Sequence, residues 1–219
     1  VVVNDTISGA SAGNYILVQP TGITAIINAA PLGITVNGVY NGTTTITPSA
    51  YTITGLVGGE TITGITTATV NNANVSANGS NFVTSIVTSG GTASLTNYSI
   101  RQVYNASSGN TQNAATITAK ALTVGGTSIA ADKVYDGTTT ATITGGVLVG
   151  VIGSDVVNLT QAGSFAQKNV GSAIAVTASN TLSGASAGNY SLVQPTGITG
   201  NIIAKALTVT GATVGNKVY

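Results

Sequence analysis

The chain has 219 residues, of which only 5% are charged, and a formal net charge of +1; ordinary soluble domains carry roughly 25%. So weak a field attracts neither nucleic acid nor anionic lipid, and its cations (Arg101, Lys120, Lys133, Lys168, Lys205, Lys217) are scattered along the sequence. Cys and His are absent, which excludes disulfides, thiolate chemistry and the usual general base.

No apolar run is long enough to span a bilayer. Thr, Val, Ile and Tyr are plentiful and favour pleated, half-buried strands, while 29 Gly, with Asn and Ser, supply turns. The expected class is all-β.

In chain order, residues 1–27 read as the end of a module. SGASAGNY is a Gly/Ser turn, residues 15–18 a strand, Pro20-Thr21-Gly22 a break and residues 23–27 a second strand. After a short connection, Leu32, Ile34 and Val36 alternate with Gly33, Thr35 and Asn37, the period of a strand with one buried face. The turn-flanked NGVYNG (37–42), a polar strand that Pro48 ends or places at a sheet edge, and strands at 51–54 and 61–70 follow. Residues 71–81 are an Asn-rich loop, then come strands at 82–88, 98–104 and 114–118. Beyond Leu122-Thr123-Val124, DKVYDGTT (132–139) is the counterpart of 37–44. Short strands are expected at 141–144, 147–149, 156–159, 164–166 and 174–178.

The sequence repeats itself. Residues 8–24 and 183–199 agree at 16 of 17 positions, with Ile16 facing Ser191. Leu32, Leu122 and Leu207 are 90 and 85 residues apart, and Tyr40, Tyr135 and Tyr219 are 95 and 84 apart. The period predicts tandem Ig-like β-sandwich modules of about 85–90 residues, too long for a β-helix. The divisions are 1–28, the C-terminal part of a first module; 29–120, a divergent second; 121–205, a third; and 206–219, the start of a fourth. The sequence thus reads as an excerpt of a longer array. At each seam (27–32, 117–122, 202–207) four residues separate consecutive modules, without the Gly/Ser run of a flexible linker. A stiff rod is expected, each module roughly 35–40 Å long if its strands follow the axis.

The set LTVTG, KVYDGTT, FAQKNVG and LSGASAGNY…IIAKALTV resembles the YDG and MBG-type modules of large bacterial extracellular proteins, among them filamentous-haemagglutinin-like adhesins. Residues 133–139, 165–171, 184–190 and 202–209 carry the likeness. Residues 37–42 depart from it, lacking the Lys and the Asp. The resemblance implies an extracellular or cell-surface location and a stalk or fibre role without catalysis.

Tyr15, Tyr40, Tyr98, Tyr135, Tyr190 and Tyr219 hold fixed module positions. A sugar-binding platform is conceivable, but a ring whose hydroxyl finds a backbone partner at a sandwich corner is the expected role. Lys133 and Asp136, replaced together by Gly38 and Asn41, suggest a local ion pair or turn hydrogen bond. An isopeptide crosslink from Lys133 or Lys168, with Asp136 or Asp155, is the remote alternative. Asp5, Asp132, Asp136, Asp155 and Glu60 are too sparse for calcium or for paired-carboxylate catalysis. Thr43–Thr45 and Thr138–Thr140 read as outward strand faces rather than an ice-binding array, and sequons occur at Asn4, Asn41, Asn97, Asn158 and Asn189.

No catalytic, cofactor-binding or metal residues are assigned, and no enzyme activity is expected. The expected function is a structural repeat segment of a bacterial surface or secreted fibre or fibrillar adhesin, serving as stiff stalk or biofilm-matrix element. An adhesive module recognising a glycan or a host or neighbouring-cell protein is the alternative. Expected partners are neighbouring modules of the same chain, with identical chains in a filament or bundle as a further option. No nucleic acid and no membrane insertion are expected.

Overall fold

The computed structural model describes residues 1–107, 109 and 112–219. Among them the regular elements are strands, interrupted by single turns of 3-10 helix, so the chain is all-β.

The first set of strands is β1 (Ala30–Val39), β2 (Thr45–Ile46), β3 (Ala50–Thr54), β4 (Ile62–Val70), β5 (Val83–Gly91), β6 (Tyr98–Ile100) and β7 (Asn113–Thr118). The alternation expected around Leu32 is realised in β1, which buries Leu32, Ile34 and Val36. β1 pairs antiparallel with β3 and parallel with β6 at its start and with β7 further on. β2, β4 and β5 form a separate antiparallel sheet.

The second set is β8 (Lys120–Gly125), β9 (Ile129–Ala130), β10 (Lys133–Val134), β11 (Thr140–Ala141), β12 (Ile143–Thr144), β13 (Val147–Val149), β14 (Asn158–Thr160), β15 (Gly163–Phe165), β16 (Gly171–Ala178), β17 (Thr181–Ser183), β18 (Tyr190–Val193) and β19 (Thr199–Ile203). Each pairing of the first set recurs here at the corresponding residues. Ala30 opposite Tyr98 becomes Lys120 opposite Tyr190. Gly38 opposite Ile117 becomes Lys133 opposite Ile202. Ile34 opposite Ile53 becomes Val124 opposite Leu148, and Thr45 opposite Thr69 becomes Thr140 opposite Ser164. The β4–β5 hairpin corresponds to β15–β16. Where the first set has the single strand β1, the second has β8 and β10, because the segment between them is longer and folds out as β9, which pairs with β12.

Ladders join strands within each set, and the chain crosses from β7 to β8 through Ala119 alone. The seam is therefore tighter than the four residues read from the sequence. One buried cluster spans it, uniting Leu32, Ile34, Tyr40 and Ile117 with Leu122 and Tyr190. A second cluster, around Ile143, Phe165, Val176 and Ile202, fills the far part of the second set.

The strands expected at 15–18 and 23–27 do not form; residues 1–29 hold one 3-10 turn, Ala12–Asn14, and no strand. Yet the near-identical stretch at 183–199 contributes β18 and the start of β19. The physical difference is the neighbours. β18 is backed by β8 in parallel, and β19 lies between β10 and β16. Residues 1–29 have no such partners among the described residues. What needs only local bonds does persist. The 3-10 turn Ala187–Asn189 matches Ala12–Asn14. The Gln194 bracket on the Asn180 backbone (2.9 and 2.7 Å) matches that of Gln19 on Asp5 (3.1 and 2.7 Å). Tyr15 is consequently 71% exposed where Tyr190 is 7% exposed.

Candidate functional site: the joint between the two strand sets

Two local pieces build the site. The first is the tight turn Ile152-Gly153-Ser154-Asp155, closed by the Asp155 N–H donating to the Ile152 carbonyl at 3.0 Å. Gly153 takes φ +51° there, a left-handed conformation that glycine adopts without a Cβ penalty. The second is the 3-10 turn Ala187–Asn189, whose exit sets Tyr190 in extended backbone at the start of β18. The Tyr190 hydroxyl accepts from the Ile152 N–H (3.0 Å) and donates to Asp155 Oδ2 (2.5 Å), so donor and acceptor capacities are both used.

The first strand set supplies the rest. β1 ends in the turn that presents Tyr40, whose N–H is tethered to the Thr118 carbonyl at 2.9 Å. The Tyr40 hydroxyl donates to the same Asp155 Oδ2 at 2.8 Å, and Ser186 Oγ donates to Oδ1 at 3.1 Å. The Tyr40 and Tyr190 rings stand edge to face, centroids 5.4 Å apart and planes at 79°, the arrangement favoured by ring quadrupoles. Beside them Asn189 bridges the sets twice: its Oδ1 accepts from the Val75 N–H (3.0 Å) and its Nδ2 donates to Asn74 Oδ1 (2.9 Å). Gly42 packs so closely on Ile152 that a Cβ at this glycine would lie 2.9 Å from the Ile152 Cγ2. A polar cleft of about 360 Å³ opens between Tyr40, Asn74, Asp155, Ser186 and Asn189.

The electrostatics follow from this geometry. The Tyr190 hydroxyl, then that of Tyr40, hold the Asp155 carboxyl below the usual range against the opposing effect of burial. Burial first, and the adjoining Asp155 second, push Tyr190 up to about 12 and Tyr40 in the same direction.

A related latch lies at the other end of the first set. The turn Val57-Gly58-Gly59-Glu60 matches 152–155, and Tyr98 follows the 3-10 turn Leu95–Asn97. The Tyr98 hydroxyl accepts from the Val57 N–H at 3.1 Å and donates to Glu60 Oε2, and this bond to Glu60 is the main cause of its raised pKa. Sequence reasoning considered Glu60 and Asp155 as metal or catalytic carboxylates, and Asp155 also as the acid of an isopeptide crosslink, and missed this role. The available signal was the pair VGGE and IGSD, each followed by an asparagine–tyrosine step.

Lys133 and Asp136 make the expected local pair at 2.8 Å. Lys133 Nζ also donates to the Thr138 and Thr140 carbonyls (3.0 and 3.1 Å), and Asp136 Oδ1 accepts from the Thr138 N–H (2.8 Å). Asp136 is lowered to about 2, first by Lys133 and then by Thr138. In the first set Asn41 does both tasks with one amide: its Nδ2 donates to the Thr45 carbonyl (2.8 Å) and its Oδ1 accepts from the Thr43 N–H (3.0 Å). That is why the two charges disappear together.

The remaining candidates do not converge. Asp132 caps Asn201 through bonds of 3.0 and 3.1 Å. Asp5, Lys168 and Tyr219 are exposed, as are the threonines at 43–45 and 138–140. Of the sequons, Asn4, Asn41, Asn97 and Asn158 are exposed, whereas Asn189 is buried in the joint with its amide bonded on both sides. Among the described residues no group of three or more metal-ligating side chains assembles, and no helix is long and apolar enough to cross a membrane.

Comparison with known families finds a YDG domain at residues 118–197, which begins at the end of β7 and includes the joint's Ile152, Asp155, Asn189 and Tyr190. No curated protein matches the chain, and no solved structure does.

Proposed function

We propose that the chain is a structural segment of tandem Ig-like β-sandwich modules, 29–120 and 121–205, flanked by module pieces at 1–28 and 206–219. In this reading it acts as a stiff stalk or matrix element of a bacterial cell-surface or secreted fibre. The observation that carries it is the joint. Domains joined in one chain move relative to each other unless their shared surface is large and apolar. Here a single buried cluster runs through both strand sets, a lone residue links the last strand of one to the first of the next, and Tyr40 is locked onto Asp155 and Tyr190. The closing strand of each set pairs in parallel with β1 in the first set and with β10, the counterpart of the end of β1, in the second, and each set carries an antiparallel hairpin beside it. That pattern supports a sandwich reading.

The mechanism is mechanical. Serial modules hold a distal part of a longer protein away from an anchoring surface, and a face with few charges makes contacts that salt screens little. Neighbouring modules of the same chain are the primary partners.

Small-angle scattering on the full chain tests the reading. The expected profile is that of one extended body, unchanged between 50 mM and 1 M salt, with a broadened distance distribution for Tyr40→Ala. A wild-type profile requiring an ensemble of inter-module angles would refute it.

A further inference from the structure

Both halves of the joint recur at the outer ends of the two strand sets, filled by none of the described residues. On the presenting side, Tyr135 occupies the place of Tyr40, its N–H bonded to the Ile203 carbonyl at 2.8 Å as that of Tyr40 is to Thr118 at 2.9 Å. Yet Tyr135 is 37% exposed where Tyr40 is 5% exposed. Gly137 stands where Gly42 meets Ile152, with no atom of the described residues within 4 Å of the position of a Cβ. The Asn169-Val170 step matches the Asn74-Val75 that Asn189 grips, and both residues are exposed.

On the receiving side, Val57, Glu60 and Tyr98 reproduce Ile152, Asp155 and Tyr190 bond for bond. Asp155 Oδ2 accepts two tyrosine hydroxyls, whereas among the described residues Glu60 Oε2 accepts that of Tyr98 alone. Val57 is 55% exposed, and Asn97, in the place of the buried Asn189, is exposed.

We infer that the Val57–Glu60–Tyr98 face is a docking site for the tyrosine turn of another module of this type, and that the Tyr135 turn is the matching plug. The occupant is a VYDG-type turn, available in a second copy of this chain. It would lay its tyrosine hydroxyl on Glu60, its glycine against Val57 and its Asn-Val step against Asn97, continuing the geometry of the joint already present. The charges on the Tyr135 turn do not oppose this, since Asp136 is neutralised by Lys133 within the turn. The joint is heterologous, head to tail, so it adds modules in line rather than closing a pair. The inference rests on the reading of the joint as a repeating device.

The test is nuclear magnetic resonance at high concentration, since a contact built for a tethered neighbour works at effective concentrations near about 1 mM. Isotope-labelled Tyr135→Ala chain, with its receiving face intact, is titrated with unlabelled wild-type chain to about 1 mM. The expected result is concentration-dependent shifts confined to 56–60 and 95–98. Unlabelled Tyr135→Ala titrant should bind at least about tenfold more weakly, as loss of a hydrogen bond to a charged acceptor and its ring contact implies. Absence of shifts, shifts elsewhere, or shifts of equal size with the Tyr135→Ala titrant would overturn the inference. A chain rigid by scattering that shows no such shifts fails this inference alone; a flexible one fails the proposed function.

Discussion

Tyr40 and Tyr190 stand edge to face, 5.4 Å between ring centroids, and give their hydroxyl protons to one oxygen of Asp155. One tyrosine belongs to the strand set that precedes the joint and the other to the set that follows it. The carboxylate is therefore shared between a bond within its own strand set and a bond to the neighbouring set.

Substitution at Tyr40 separates the two contributions of this residue. Tyr40→Phe keeps the ring and removes one donor, and Asp155 still accepts from Tyr190 and Ser186. Chemical denaturation should register a loss of about 1–2 kcal/mol. Tyr40→Ala also empties a buried ring site, for about 3 kcal/mol or more. If Tyr40→Phe costs as much as Tyr40→Ala, the ring packing is not what holds the joint.

The joint should weaken at both ends of the pH scale. Tyr190 is raised to about 12 in the fold, above the unfolded value near 10. Its contribution is full below about pH 10 and is lost as pH rises through about 12. Asp155 is depressed, so its contribution is present above the unfolded carboxyl value and is lost as pH falls through the folded one. Urea midpoints measured across pH should therefore fall on both flanks. In Asp155→Asn the acid flank should flatten, leaving only the part due to other carboxyls such as Asp136, which is lowered to about 2.

The two versions of the Tyr-bearing turn should not be interchangeable residue by residue. Gly38 occupies the place of Lys133, and a Cβ there would lie 2.7 Å from Ile46 Cδ1, whereas the residue corresponding to Ile46 in the second set is Ala141. Gly38→Lys should cost about 1–3 kcal/mol through overpacking. Ile46→Ala made in a Gly38→Lys, Asn41→Asp background should cost less than in the wild type by about 1 kcal/mol. A strictly additive double-mutant cycle would contradict the steric account.

One glycine appears twice in the same sequence with different surroundings. Gly184 has φ +108°, and a Cβ on it would lie 2.5 Å from the Val156 carbonyl oxygen; Gly9 has φ +121° with nothing within 4 Å. Gly184→Ala should destabilise the fold by about 2 kcal/mol or more, while Gly9→Ala, strained at its φ but with no steric contact and outside every sheet, should lower the melting temperature clearly less. Hydrogen exchange should show the same asymmetry, slow in β18 and fast at 15–18. Equal protection would mean that residues 1–29 have sheet partners after all.

Much of the fold was legible because period-two alternation and repeat spacing are local statements. Leu32, Ile34 and Val36, the hairpin around 62–91 and the turn before each asparagine–tyrosine step could all be read from their own neighbourhoods. The strands at 15–18 and 23–27 could not, because a strand exists only against another strand. The repeat makes this plain: nearly identical residues are paired at 190–193 and unpaired at 15–18. The joint was half legible. The absence of a linker announced the short crossing from β7 to β8, and the loss of Lys133 and Asp136 together announced a shared turn. The grip of Asp155 on Tyr40 was hidden, since nothing in either segment records that the other will lie across it.

The central claim is that the two strand sets form one rigid body through this joint. Residual dipolar couplings on the full chain measure it directly, by comparing the alignment tensor of residues 30–118, outside the undescribed positions, with that of residues 120–203. The account predicts one common tensor for both sets in the wild type, and two different tensors in Tyr40→Ala. Two different tensors in the wild type would contradict it.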